Sequence, residues 1–398
     1  MQTTYRQTYL DWLRIIAIAG VLFFHSAMPY VAEWGWHIKN NATSHALLEM
    51  NDFLHRFRMP LLFFISGTVS YYMLQSRSGG GFLGLRFRRL FVPLLVGVLV
   101  IVPPQVYLER VTQGYKGNFW DFYTAMFSTG AYPKGNMSWH HLWFICYLLA
   151  YDILCAPLFV WLGSPKGKQW LQKLNPLASG WWVYILMVPS VVSHAFLSRM
   201  YQQTGDLIHD YAYFPYYLWF LLAGFCCIAN PLLMDSLERN RRTSFAIAFA
   251  SLMLINYLRW NKLEPGYGWQ GLQGWSYTAL AVVCAWMWVF TAIGYGKRYL
   301  QKKSRVLDYV NEAVYPFYIL HQTVIVILTF YLANLQEDIG LKYIFTVLVT
   351  FFISMSIFHL YIRPYPVMRF LFGMKPAKRK KAPEKAATEI VLPEMSNV

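Results

Sequence analysis

Leu10-Asp11-Trp12-Leu13-Arg14-Ile15-Ile16-Ala17-Ile18-Ala19-Gly20-Val21-Leu22-Phe23-Phe24-His25 is an apolar run that carries three ionisable side chains. A helix that crosses a bilayer needs about 20 mostly apolar residues. The run from about 10 to 30 supplies them, and comparable runs follow at about 53–75, 88–108, 140–162, 181–198, 213–234, 243–260, 273–296, 309–333 and 341–362. The runs do not alternate with the period of two that a membrane β-barrel requires. Composition agrees: of 398 residues, 57% are hydrophobic and only 14% charged, against roughly 45–50% and about 25% in a soluble domain. This excludes a disordered chain, a disulfide scaffold and an ordinary cytosolic enzyme. The expected fold is all-α and polytopic, with about ten transmembrane helices in one domain over 1–374 and no internal repeat. A Lys-, Ala-, Pro- and Glu-rich tail over 375–398 is expected to be disordered.

Basic residues set the expected orientation, because cytoplasmic loops carry the excess of Lys and Arg. With the N-terminus inside, 24 of the 35 Lys and Arg fall on inner segments and eight on outer loops. Both termini are therefore expected to be cytoplasmic. The net charge of +16 reads as topology and contact with anionic lipid, not as nucleic-acid binding. The first run is about as long as a full span, holds an Arg and a His, and is followed by no A-x-A site, so it reads as a retained helix. All five cysteines sit in apolar runs without C-x-x-C spacing. They read as inert buried thiols, with Cys146 the one catalytic alternative.

The ionisable residues inside these runs are the functional candidates, because a charge in the bilayer interior costs a few kcal/mol or more. Eleven steps of 100° from Arg14 to His25 overshoot three turns by about 20°, so the two share a face about 16 Å apart along the axis. Asp11 stands three residues before Arg14, a spacing that allows pairing. In the antiparallel second run Arg58 lies at about the depth of His25, and Arg56 reads as a headgroup contact. Pro60 and Ser66-Gly67 suggest a bend or close packing. Arg86-Phe87-Arg88-Arg89, after the Gly79–Gly81 hinge, reads either as inner-face anchoring or as a guanidinium clamp for phosphates. Pro93 is expected to kink the third helix. Trp139-His140-His141 has no spacing that favours zinc, and no metal is expected. Tyr315, Tyr318 and Gln322 share one face of the ninth run, with His321 beside them. The loop around Trp36-His37 is either plain surface or a substrate wall. Asn41-Ala42-Thr43 and Asn136-Met137-Ser138 match glycosylation acceptors only weakly.

Several of these motifs together resemble the acyltransferase-3 family of bacterial membrane O-acyltransferases. They are Arg14 and His25 with ten residues between them, Phe63-Phe64-Ile65-Ser66-Gly67, Arg86 and Arg89 followed by Pro93, His141 to Phe144, and Tyr318 with His321. The resemblance spans about residues 5–375. Trp36-His37, Asn51-Asp52-Phe53, Phe57-Arg58-Met59 and Arg369-Phe370-Leu371-Phe372 are similar to a subgroup that succinylates periplasmic glucans.

The resemblance implies a ten-helix enzyme of the bacterial inner membrane. Such an enzyme transfers an acetyl or succinyl group from cytoplasmic acyl-CoA to a hydroxyl of a periplasmic or cell-surface glycan. Membrane lipid, the glycan and acyl-CoA are then the expected partners. His25 is expected to act as general base on the acceptor hydroxyl, or else as a covalent acyl carrier. Arg58, Trp143 or His321 would steady the oxyanion, and Arg14 with Asp11 would help hold the donor. Arg86, Arg88 and Arg89 would grip the CoA phosphates, and the pantetheine arm would thread a dry corridor to His25. Trp143, His141, His37 and Tyr318 are expected to line the acceptor. A secondary transporter of a small anionic or sugar-like solute and a non-catalytic glycan-binding scaffold are the competing readings.

Overall fold

A computed structural model describes residues 7–265 and 271–376, so most of the expected tail lies outside the described residues. Among the described residues the chain is helical and forms no strand. In chain order the helices are α1 (Thr8–Ala27), α2 (His45–Leu74), α3 (Gly79–Val96), α4 (Pro103–Thr112), α5 (Phe119–Met126), α6 (Trp143–Gly163), α7 (Pro165–Gln172), α8 (Val188–Leu197), α9 (Tyr213–Ala229), α10 (Pro231–Arg239), α11 (Arg241–Trp260), α12 (Leu272–Tyr299), α13 (Arg305–Leu332), α14 (Ile339–Ile357) and α15 (Pro366–Leu371).

All ten apolar runs become helix, but they are not equal as spans. Six segments are long and apolar enough to cross a membrane: Thr8–Tyr30, Gly79–Thr112, His140–Gly163, Leu272–Tyr299, Arg305–Leu332 and Ile339–Ile362. A seventh arises if α9 and α10, bent by 104° at Asn230-Pro231, count as one. The expected ten exceeds this count for a physical reason. Asp52, Arg56 and Arg58 dilute the first half of α2, Arg241, Arg242 and Arg259 flank α11, and the apolar helix Trp182–Leu197 is short.

Close helix packing follows from small residues. A Cβ built on Gly67 of α2 would collide with the Leu221 carbonyl of α9, and one on Gly224 of α9 would collide with the Phe64 carbonyl of α2. Only glycine lets these backbones meet, as the Ser66-Gly67 pair suggested. Around that contact lie Phe63, Phe64, Phe220 and Trp286, all fully buried, with Phe220 and Trp286 stacked at 3.9 Å. Beyond Pro93, α3 opens into a π-helical turn, Gly97–Ile101, before α4 starts at Pro103. The turn loosens the backbone where the sequence suggested a kink.

The two C-terminal long helices differ in surroundings. In its most apolar window α13 is 72% buried inside the protein, whereas the corresponding window of Ile339–Ile362 is 22% buried. Ile344, Phe345, Leu348, Phe351 and Phe352 of α14 face outward, as expected of side chains solvated by lipid. The central helix α13 carries the polar residues, and the site is built on it.

Candidate active site

Helix α13 brings together residues from α1, the loop holding His37, the π-turn, α4 and the turn at His141 along one polar line. Near its start, Arg14 of α1 donates to the Asn311 side chain (3.3 Å). One turn beyond Tyr315, the Tyr318 hydroxyl donates to the His141 carbonyl, and His141 Nε2 lies 3.0 Å from the Ile319 carbonyl. A turn further, His25 Nδ1 lies 2.8 Å from His321 Nε2, with the two rings parallel within 3°. Arg14 and His25 thus both face α13, as the eleven-residue spacing requires. Asp11 is buried in the first turn of α1.

The hydrogen bonds assign the histidine tautomers. His321 Nδ1 lies 2.7 Å from the Tyr318 carbonyl. A carbonyl only accepts, so His321 Nδ1 carries the hydrogen and neutral His321 presents Nε2 as an acceptor. His25 Nδ1 must then be the donor, which leaves the lone pair of His25 Nε2 without a hydrogen bond among the described residues. This is the arrangement of an oriented base: one nitrogen held by a partner, the other available. The backbone beneath it is also held. Asn51 of α2 donates to the Phe24 carbonyl (3.1 Å), and Lys39 Nζ donates to the Met28 and Val31 carbonyls where α1 ends. Burial pushes the Lys39 ammonium below its usual pKa, partly offset by Glu33. A cation at a helix C-terminus is favourable there.

Trp36 packs on the His25 ring at 5.4 Å and on His37 at 5.2 Å, and its Nε1 is buried with no partner among the described residues. Beyond it lies a second network. The Thr323 hydroxyl donates to the Ile101 carbonyl of the π-turn (2.7 Å), Gln105 Nε2 to Thr323 (2.6 Å), and Gln322 Nε2 to Gln105 (3.0 Å). Gln322 Nε2 also lies 3.2 Å from His37 Nε2, so His37 Nδ1 is the donor to Glu109 Oε2 at 2.5 Å. The Tyr132 hydroxyl donates to the other Glu109 oxygen (2.9 Å). Burial, reinforced by Glu109, pushes Tyr132 up to about 12, so it stays a donor.

His37, Glu109 and His140 offer ligand atoms within 4.8 Å of one another and are the described residues that could hold a metal ion. Both nitrogens of His37 are already engaged, so an ion there would have to displace either the Gln322 amide or the proton between His37 and Glu109.

The remaining expected residues fall into separate places. Arg58 is buried with its guanidinium 3.4 Å over the Phe24 ring, and its Nη1 is 3.4 Å from His55 Nδ1. It therefore stands one side-chain layer from His25. Trp143 packs on Phe63, Tyr147 and Tyr217, away from the His25–His321 pair. Arg86 is buried and paired with Asp152 of α6, which also accepts from Ser70 (3.0 Å). Of the expected phosphate clamp, Arg88 is exposed and Arg89 half-buried. Tyr318 and Phe144 of the core meet edge to face at 5.9 Å, and Phe63 packs against Phe144 at 4.7 Å. Cys146 is buried, and its chain neighbours Ile145 and Tyr147 are core residues.

Sequence reasoning missed Asp152, Glu109 and Gln105. Asp152 had a signal, a lone acid inside the run 140–162. Glu109 sits one residue past the run 88–108, where acids are ordinary, and nothing local marks it.

Comparison with known proteins now adds to this geometry. The acyltransferase-3 model, described as an acyltransferase domain, matches residues 7–359. Curated relatives include "Glucans biosynthesis protein C" of Escherichia coli O1:K1 / APEC, 24% identical over 405 residues, covering 94% of this chain and 96% of the relative. The protein of the same name from Escherichia coli strain K12 is 24% identical over 407 residues with the same coverage. No solved structure matches the chain. With nearly its whole length matched and the Arg14–His25 and Tyr318–His321 pairs gathered on one central helix, the chain belongs to the acyltransferase-3 family of membrane acyltransferases.

Proposed function

We propose that the protein is an O-acyltransferase of the bacterial inner membrane. On this reading it moves an acetyl or succinyl group from cytoplasmic acyl-CoA to a glycan hydroxyl on the outer side, and both its termini are cytoplasmic. The observation that carries the reading is the oriented pair His25–His321, which leaves His25 Nε2 as an available base. His25 Nε2 takes the hydroxyl proton as the sugar oxygen bonds to the thioester carbon. The C–S bond then breaks, and the same proton passes from His25 to the departing thiolate, so ester and free CoA thiol leave with charge balanced. Trp36 Nε1, buried beside His25 with no partner among the described residues, is the donor assigned to the oxyanion, with Arg58 behind it. Arg88 and Arg89 meet the CoA phosphates, and Arg86 holds α3 to α6 through Asp152. His141, Tyr318 and His37 form the wall around the pair, and Trp143 stands further back.

Purified protein incubated with a panel of acyl-CoAs tests this. Acceptor-stimulated release of CoA thiol is expected, with acetyl- or succinyl-CoA preferred. Solute flux without thioester consumption would overturn the reading in favour of transport.

A further inference from the structure

A cavity of about 270 Å³, open to solvent, lies between α2, α8, α9 and α12. That is close to the lower end of the usual range for ligand pockets, about 300 Å³. It is at the same end of the bundle as His25. We infer that this cavity is the subsite that receives the sugar chain of the acceptor glycan; the inference rests on the acyltransferase reading above.

Three features select a sugar chain over a lipid tail. First, four tyrosines line the cavity, Tyr213, Tyr216, Tyr217 and Tyr277. A tyrosine presents a flat apolar face and a hydrogen-bonding tip, which is what the C–H face and hydroxyls of a pyranose ring need. Second, the other lining groups are mostly polar: His55, Arg56, His194, Ser198, Arg199 and Thr278. An acyl chain would strip these of water without replacing the lost hydrogen bonds. Third, polar capacity is left over on the α2 wall. Arg56 uses Nη2 on Asp52 (2.9 and 3.0 Å), while its Nε is buried with no partner among the described residues. Pro60, which also lines the cavity, has no N–H to offer the Arg56 carbonyl one turn earlier. Among the described residues no carboxylate lines the cavity itself; Asp52 and Glu264 stand behind it, bonded to Arg56 and Tyr277.

Its position suits an acceptor. His55 presents its ring to the cavity and also stacks on Phe24 (5.9 Å) and contacts Arg58 (3.4 Å), while Phe24 meets the His25 ring edge-on at 5.5 Å. Two side chains, His55 and Phe24, thus stand between a sugar held here and the base, so the cavity holds the chain beside the reacting residue and not the reacting hydroxyl itself.

The test is equilibrium binding of a β-linked gluco-hexasaccharide and of maltohexaose to the full-length protein in detergent, with no donor present. At least one of the two is expected to bind. Tyr277→Ala, Tyr213→Ala and the cavity-filling Thr278→Trp should each weaken that binding at least tenfold. Tyr277→Phe, which keeps the ring face, should stay within threefold of wild type and controls for folding. Wild-type affinity in both Tyr277→Ala and Thr278→Trp, or no binding of either sugar by the wild-type protein, would overturn the subsite. Failure of the acyltransferase reading registers separately, as absence of thiol release from every donor.

Discussion

Arg86 and Asp152 make the sharpest test of how the bundle is held. The Asp152 side chain is fully buried and that of Arg86 is 7% exposed, and Ser70 satisfies a second lone pair of the carboxylate. Deleting one member of such a pair leaves an uncompensated charge in an apolar interior, at a cost of about 3–5 kcal/mol. Asp152→Leu should fall within that range, because the guanidinium left behind is almost entirely buried. At about 1.4 kcal/mol per factor of ten, that lowers the folding equilibrium by roughly a hundredfold to a few thousandfold. Replacing both partners removes the uncompensated charge, so Arg86→Leu combined with Asp152→Leu should recover most of the lost stability. The assay is unfolding of purified protein in mixed detergent, followed by tryptophan fluorescence, on the two single variants and the double variant. Donor KM measured on the double variant is expected to remain within about threefold of wild type, as Arg88 and Arg89 are the guanidiniums left to meet a phosphate. A loss below about 1 kcal/mol in Asp152→Leu, or a double variant no better than the singles, would refute the reasoning.

Further expectations concern the site. His25→Ala should lower acceptor-dependent thiol release by about 10²–10⁴-fold with unfolding behaviour unchanged, and full activity would remove His25 as the base. His321→Phe keeps a ring against His25 but no acceptor for His25 Nδ1. The variant should lose about 10²-fold in kcat with both KM values little altered, since a free imidazole loses the tautomer and orientation its partner imposes. Arg89→Ala should raise donor KM by roughly tenfold, in line with about 1.5–3 kcal/mol for a charge-assisted bond. Raising the salt concentration should shrink that difference. Gly224→Val should destabilise the bundle by about 1–3 kcal/mol or more, because the new side chain meets the Phe64 carbonyl of α2 and not a movable side chain.

Much of the architecture was legible in local sequence. The apolar runs named the helices because lipid penalises every unsatisfied backbone group, and a helix satisfies them within the segment. The eleven-residue interval between Arg14 and His25 placed both on one face by helical geometry, and both do meet α13. The spacing of Tyr315, Tyr318 and Gln322 likewise marked a polar face. Span counting was less secure, because charges at helix ends lower the apolar content of α2 and α11 without preventing helix formation.

What the sequence by itself determined is the solvent, the helices and the facing of residues within one helix, all set by chemistry within about 30 neighbouring positions. Tertiary structure alone decided which faces meet. It turned Arg86 inward onto Asp152, 66 residues away, and set His25 against His321, 296 residues away. It also joined His37 to Glu109 through a carboxylate that no motif marks. The reason is physical. A buried charge or ring nitrogen needs a partner, but which of many polar groups becomes that partner depends on how whole helices pack. Here packing is governed by close approaches such as Gly67 to Leu221 and Gly224 to Phe64 and by the π-turn at Gly97–Ile101, whose effects act between segments far apart in the chain.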